Sequence, residues 1–332
     1  MSLIPYEAIA EALQEGAVVP FLGAGVNFGH RTPGNVWKND EPFLPSGAEL
    51  SRYLARKSAF PLQDDHHRTD LAKVSSFFEE NVGRGRLRKE LHEIFAPLPP
   101  VPDYPTCSIH DYLAGIPKLR LVITTNYDIL AEKAFAAAKR AFYLVIHTVT
   151  QDNQLDMQVR APANTPLPHN LQGQVLWWKY DPANPQAPFA PQRDDPRDLA
   201  KFIDSDADTV IYKMHGTVSK QDRRWDNYVI SEDDYVEFLS RMTNDTAVPN
   251  VVWEHLHFRQ LLFLGYGLGD WNLRVVLREI FRKTRFGQNK SWAIQFKPSE
   301  LEKELWSQRG VKIYDIDINE FVKELSTVKT TG

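Results

Sequence analysis

Asn126, Asp128 and His215 each follow closely on a short apolar run, and their side chains are of the kinds a group-transfer site uses. A neutral histidine near pH 7 can take a proton from water or a hydroxyl. An amide can orient water without titrating, and Asp128 adds a carboxylate to the same turn. Two further stretches, Gly23-Ala-Gly25 and Gly265-Tyr-Gly267, place glycines where apolar runs end. Glycine there lets a ligand approach the main chain closely, and at the carboxyl end of a parallel strand this is where nucleotide phosphates sit. Each feature has a plainer explanation. Gly23–Gly25 lacks the third glycine of the dinucleotide fingerprint and could be an ordinary tight turn. Asn126 could shape a turn, Asp128 could cap a helix, and His215 could be a satisfied core histidine.

The elements that must position these residues can be read from the pattern. Residues 17–22, 119–124, 209–214 and 260–264 are apolar runs with strand character, and each delivers one of the stretches above. Helical spacing follows at Leu130, Ala134, Ala137 and Ala138, at Tyr235, Phe238 and Leu239 behind Ser231 and Asp234, and at Leu273, Val276, Leu277, Ile280 and Phe281. Residues 292–296 and 311–316 read as strands around a helix over 299–307, capped by Ser299 with Glu302. Strands alternating with helices of this length predict an α/β fold with a Rossmann-like, doubly wound parallel sheet. In such a sheet the four ends share one edge, so four distant segments converge on one cleft. Residues 46–115 predict an inserted helical subdomain. The proline-rich stretch 151–205 predicts irregular, surface-lying chain interrupted by a short strand at 175–180. The loop 28–45 and that proline-rich stretch are expected to be able to gate the cleft. The whole of 1–332 reads as a single domain.

Gly-Ala-Gly-Val from Gly23, Thr-Thr-Asn-Tyr-Asp ending at Asp128, Lys-Met-His-Gly ending at Gly216 and Gly-Tyr-Gly-Leu-Gly-Asp ending at Asp270 occur in this order over about residues 17–316. That order resembles the sirtuin-like NAD hydrolases, the divergent sirtuin relatives of bacterial antiphage defence. The resemblance implies that Gly23, Ala24 and Gly25, with Val26 and Thr125 beside the turns, hold NAD, and that Gly265 and Gly267 lie near its adenosine half. It implies that Asn126 positions the attacking oxygen at the nicotinamide ribose, that Asp128 lies near the nicotinamide, and that His215 bonds the ribose hydroxyls and acts as general base. With water as acceptor the products are ADP-ribose and nicotinamide. The same likeness implies an effector that depletes NAD and is held latent by assembly, as a homo-oligomer, or by a partner protein of the same defence system. A protein deacylase or ADP-ribosyltransferase, and a non-catalytic sensor of NAD or ADP-ribose, are the alternatives. Two departures weigh against the deacylase. The zinc-binding cysteine quartet of sirtuins is missing, with only Thr217–Asn227 where that module would lie, and Asn27 stands where sirtuins usually have serine.

Composition bounds the rest. The chain has 332 residues, 42% of them hydrophobic and 25% charged, as in globular proteins. Its net charge of -4 gives no basic field for nucleic acid, and the run Arg84, Arg86, Arg88 and Lys89 reads as a solvated helix face. Cys107 is the single cysteine, so no internal disulfide and no multi-cysteine zinc site is expected, and no metal is assigned. The pairs His66-His67 and His255/His257 read as surface and helix residues, and Asp270 as a helix cap. No apolar run reaches membrane length and no signal-peptide core is seen, so a cytoplasmic location is expected.

Overall fold

The computed structural model describes residues 3–97 (without 33 and 40), 103–148, 157–162, 175–180, 192–194, 199, 203–220, 223–243, 248–267, 274, 275, 277, 278, 280 and 291–328. Val18–Leu22 (β1) lies at the heart of the sheet because all five of its residues are buried. Val19 and Phe21 pack into one apolar layer, while Val18 and Leu22 pack into the opposite one. A strand clothed on both faces must be apolar throughout, which is why the run reads as continuous rather than alternating. Pro20 removes one N–H from this strand, and pairing with β2 starts just after it, at Phe21.

On one side β1 pairs in parallel with Gln260–Leu264 (β10), on the other with Leu121–Thr124 (β2). Between β2 and β10 come Tyr143–His147 (β3), Met157–Pro162 (β4), Val175–Tyr180 (β5), Gln192–Asp194 (β6), Val210–Lys213 (β7), Gly216–Thr217 (β8) and Asn227–Tyr228 (β9). Ser291–Gln295 (β11) and Val311–Asp315 (β12) follow. The ten-stranded sheet has the order β12-β11-β10-β1-β2-β7-β3-β4-β5-β6, and the small pair β8-β9 stands apart. Strands β12 to β3 are all parallel, as expected for a doubly wound sheet. The chain runs from β1 toward β2 and β3, then returns to the other side of β1 at β10. That reversal puts the topological switch point at the carboxyl ends of β1 and β10, where such sheets bind ligands.

The stretch 151–205, expected to be irregular apart from a short strand at 175–180, holds that strand as β5 together with β4 and β6, and all three extend this sheet. β4 is buried and antiparallel to β3. Its Gln158 and Arg160 are buried polar residues, so the strand lacks the apolar signature that would have revealed it. The expected positions Leu273, Val276, Phe281 and Asp270 lie outside the described residues, whereas Leu277 and Ile280 are core.

Tyr6–Gln14 (α1), Ser108–Ala114 (α6) and Leu130–Ala137 (α7) cover one face together with the helix Ile318–Thr327. Glu232–Thr243 (α8) and Asn250–Phe258 (α9) cover the other. Gly47–Lys57 (α2), Asp65–Arg68 (α3), Leu71–Val82 (α4) and Arg84–Phe95 (α5) build a third apolar cluster. The expected helical insertion therefore splits at the proline run: α6, buried through Ile109 and Leu113, packs with the sheet helices.

Arg84 and Arg88 do not form the solvated face read for them. Arg84 reaches Asp234 at 2.8 Å and the Tyr228 carbonyl at 2.9 Å, and Arg88 donates to the Asp226 carbonyl at 2.8 Å. Of the four, Arg86 and Lys89 pair along their own helix, with Glu90 and Glu93. Asp226, buried in the β8–β9 hairpin, also accepts from Ser219 N at 2.7 Å and lies 2.8 Å from His92 Nδ1 of α5. This row of contacts docks the helical subdomain onto the hairpin that follows β7.

The turns after β1 and β10 meet backbone to backbone. Gly25 N donates to Gly265 O at 2.8 Å, and Gly23 N to Leu264 O at 3.0 Å. A Cβ on Gly265 would stand 2.3 Å from Val26 N, and its φ of +63° is strained for other residues. Gly265→Ala is therefore expected to lower stability by about 2 kcal/mol or more, whereas Gly267→Ala, with open space around it, should change it by less than about 0.5 kcal/mol. Urea titration of the two variants beside the parent checks the contrast, and equal stability of both would refute it.

Candidate functional site

The four motif-bearing strands β10, β1, β2 and β7 are consecutive neighbours in the sheet, so their carboxyl ends form one row. A cavity of about 380 Å³ opens above that row. Its floor is polar: Asn27, Thr125, Asn126, Asp128 and His215, with Ala24, Gly25, Gly265 and Gly267 alongside. Its roof is mainly apolar, from Phe28, Pro45, Leu50, Leu71 and Phe95, with Tyr235 and Tyr266 at the sides. An apolar enclosure over a few convergent polar groups is the usual make-up of a small-molecule site.

Asn126 sits where β2 ends. Its backbone N–H donates to Thr124 Oγ1 at 3.1 Å, and its Nδ2 donates to the Gly23 carbonyl at 3.1 Å. The amide is thereby fixed across two turns, with Oδ1 and one N–H left over among the described residues. Asp128 is 4% exposed, and both carboxylate oxygens are engaged. Oδ1 accepts from Leu130 N at 2.9 Å, the capping contact the sequence allows, and Oδ2 accepts from Asn27 Nδ2 at 2.7 Å. Because a carboxylate only accepts, Asn27 must present its NH₂ to it, which turns Oδ1 elsewhere. That oxygen is buried with no hydrogen-bond partner among the described residues. Asn27 was legible only as a departure from serine, and its link to Asp128 joins the β1 and β2 turns. Tyr266 adds a third link, its hydroxyl donating to Thr125 Oγ1 at 2.9 Å while its ring meets Phe21 edge-on. Tyr127 ties this floor to the roof through ring contacts with Phe95 and Tyr228, and its hydroxyl donates to Val229 O at 2.7 Å.

The structure brings Gly23, Ala24, Gly25, Thr125, Asn126, Asp128, His215, Gly265 and Gly267 together. Val26 is the exception: it is fully buried in the apolar layer of α1 and α6 and is absent from the cavity lining. The turn glycines also hold the β1 and β10 turns together. The N–H groups of Gly23 and Gly25 are bonded to the β10 turn, so of the three only Ala24, first residue of a 3-10 helix to His30, has an N–H with no backbone acceptor among the described residues.

His215 is held by Gly216, whose φ of +85° turns the chain out of β7, and a Cβ there would collide with Asn227 O at 2.1 Å. The imidazole lies edge-on to Tyr235 and Phe238 at 5.3 and 5.8 Å between ring centres. Burial lowers its pKa to about 3, so it is neutral at pH 7, an acceptor or donor but a weak base. The segment 28–45 roofs this site and is clamped to α2. Glu49 receives both guanidinium nitrogens of Arg31, Trp37 N at 2.7 Å and Ser46 N at 2.9 Å. Burial raises its pKa, but these hydrogen bonds, led by Arg31, outweigh it and bring the carboxyl to about 2.

Cys107 is the buried N-cap of α6, its thiol pushed up to about 11 by burial, and is chemically inert there. His66 and His67 are surface residues of α3, and His255 and His257 lie in helix α9 as read, with His255 buried against Arg259. Among the described residues no group of three or more His, Cys, Asp or Glu side chains could hold a metal ion. Nor is any described helix long and apolar enough to cross a membrane.

A family model described as a SIR2-like domain matches residues 120–314, the part that holds three of the four motif-bearing strands. Defense-associated sirtuin 2 of Bacillus subtilis is 22% identical over 320 residues, which is 94% of this chain and 25% of that protein. The chain thus spans about a quarter of the length of this curated relative. A solved structure from work on the mechanism and regulation of Sir2 enzymes covers 98% of this chain and 96% of its own at 12% identity, with a TM-score of 0.40.

Burial lowers the pKa of His110 and His255 as well, each to about 4. The unfolded chain gains protons near pH 6.5 that these three folded histidines refuse until pH 4 to 3, so stability falls as pH drops through that window and is unaffected above about 7. Each contributes up to about 1.4 kcal/mol per pH unit. Urea titrations at pH 7, 6 and 5 should show the decline, and His255→Phe should make it shallower. A flat profile would contradict the neutral assignment.

Proposed function

The chain belongs to the SIR2-like domain family, and from that premise we propose that the cleft binds NAD and hydrolyses its nicotinamide–ribose bond. The observation that carries this reading is the convergence of Asn126, Asp128 and His215 on one polar floor at the switch point of the sheet. The bond breaks with its electron pair leaving on the pyridine nitrogen, and water adds to the ribose carbon, giving ADP-ribose, nicotinamide and a proton. Departure of neutral nicotinamide needs no acid, so the protein's task is to place water and shelter the sugar cation. Asn126, its amide pinned to Gly23 O, orients the attacking oxygen. Asp128 holds Asn27 and the start of α7 while lending negative charge to the floor. His215, neutral and lightly basic, accepts from a ribose hydroxyl and passes on the released proton once the bound substrate alters its surroundings. The N–H of Ala24 is the main-chain donor left for the pyrophosphate, and the glycines let the substrate approach closely.

Water as acceptor is favoured over a protein acceptor because the β8–β9 hairpin, closed by Asp226, stands where sirtuins build the zinc module of their peptide cleft. No zinc is needed on this reading. Likeness to a Bacillus protein named as defence-associated supports a role in defence; on the present reading that role is antiphage NAD depletion, with activity governed by assembly of copies of this chain or by a partner protein.

Asn126→Ala is expected to lower NAD turnover about a thousandfold while costing only about 1 kcal/mol of stability through the lost bond to Gly23 O. Chromatography of NAD incubated with each protein, beside thermal melts, checks both. A stable variant that still makes ADP-ribose at the parental rate would sink the role of Asn126. Turnover only with an acylated peptide would favour a deacylase, and binding without turnover a sensor.

A further inference from the structure

We propose that Lys213 is a positioning residue for catalysis, holding the Asn126–Asp128 turn through the Asp128 carbonyl, with Glu132 as its counter-ion; this rests on the NAD-cleavage reading. Lys213 is the last residue of β7, two before His215, and its side chain is 1% exposed. Its Nζ donates to the carbonyl of Asp128 and lies 3.3 Å from Oε1 of Glu132, which is fully buried in the first turn of α7. Neither residue lines the cavity. His110 and Asp128 are the other charged or titratable groups interacting with the pair.

Stability does not account for such a pair. Two desolvated charges in an apolar layer are commonly matched or bettered by hydrophobic residues of similar size, and among the described residues the Glu132 carboxylate has the Lys213 ion pair but no well-aligned hydrogen bond. What the ammonium does is fix one carbonyl. That carbonyl belongs to the residue whose carboxylate binds Leu130 N and Asn27, and which follows Asn126 by two positions. Rotation of this peptide would shift the Asp128 side chain, release Asn27 and move the Asn126 amide. A shift of about 1 Å at such a group can cost about a hundredfold in rate.

The test is the charge-free variant Lys213→Met/Glu132→Leu in the full chain, followed by melting temperature, ADP-ribose affinity by calorimetry, and kcat and KM for NAD. Stability near the parent, affinity within about threefold and kcat down about a hundredfold are expected. Recovery of kcat along with stability would overturn the positioning role and leave the NAD reading intact. A parent chain that does not cleave NAD overturns that reading and this role together. Should the double variant fail to fold, Lys213→Met is compared with Glu132→Gln, which keeps the donor on Asp128. Loss of kcat confined to Lys213→Met supports the role, and equal loss in both overturns it.

Discussion

The distance between two turns governs this site. Gly25 N and Gly265 O meet at 2.8 Å only because Gly23, Gly25 and Gly265 all lack a side chain, and a Cβ on any of them would sit within 3 Å of the opposite backbone or of Tyr266. That approach brings the β1 and β10 turns together at the switch point. Asn126 then bonds to Gly23 O, Asn27 to Asp128, and Tyr266 to Thr125. Beside His215, the floor of the cavity is a closed set of three turns, each bonded to the other two. Its polar side chains are oriented before any substrate arrives, the condition under which fixed dipoles are most effective in catalysis.

The roof has a separate origin. It comes from α2, α4, α5 and the segment clamped on Glu49, and it meets the floor at Tyr127 and along the line from Arg84 to His92. Tyr127 lies between Asn126 and Asp128, so one short stretch supplies two floor groups and the hinge pin of the roof. Asp226 gathers Ser219 N, the Tyr228 hydroxyl and His92 in one buried knot, closing the hairpin after His215. Displacement of the helical subdomain would therefore be felt directly at His215 and at the turn that bears Asn126.

Much of this was legible in the sequence where one physical signal dominated. The strand 260–264 and the capped helix from Glu300 to Ser307 fall where the apolar run and the Ser299–Glu302 pair place them. The convergence of four strand ends follows from parallel topology alone. Other features depend on partners far away in the chain. Gly23 and Gly25 look like ligand-facing glycines, yet their tight contacts are with residues about 240 positions later. Arg84 and Arg88 carry the charge pattern of an exposed face, and only the fold reveals Asp234 and the hairpin carbonyls opposite them. β4 was hidden because Gln158 and Arg160 interrupt its apolar pattern. Lys213 and Glu132 gave no sign of burial, since each reads as an ordinary charged residue until α7 folds over β7.

The strand order also sets a timetable. β1 is made about 240 residues before β10, its ladder partner on the far side of the switch point. At about 5–20 residues per second, a ribosome needs on the order of ten to fifty seconds to cover that distance. During that interval the emerging polypeptide holds Asn126, and later His215, but the first turn has no Gly265 to close against. A nascent chain, or a fragment severed before β10, has the polar residues without a cleft. Completion of the cleft thus waits on the last third of the chain, a consequence of strand order alone.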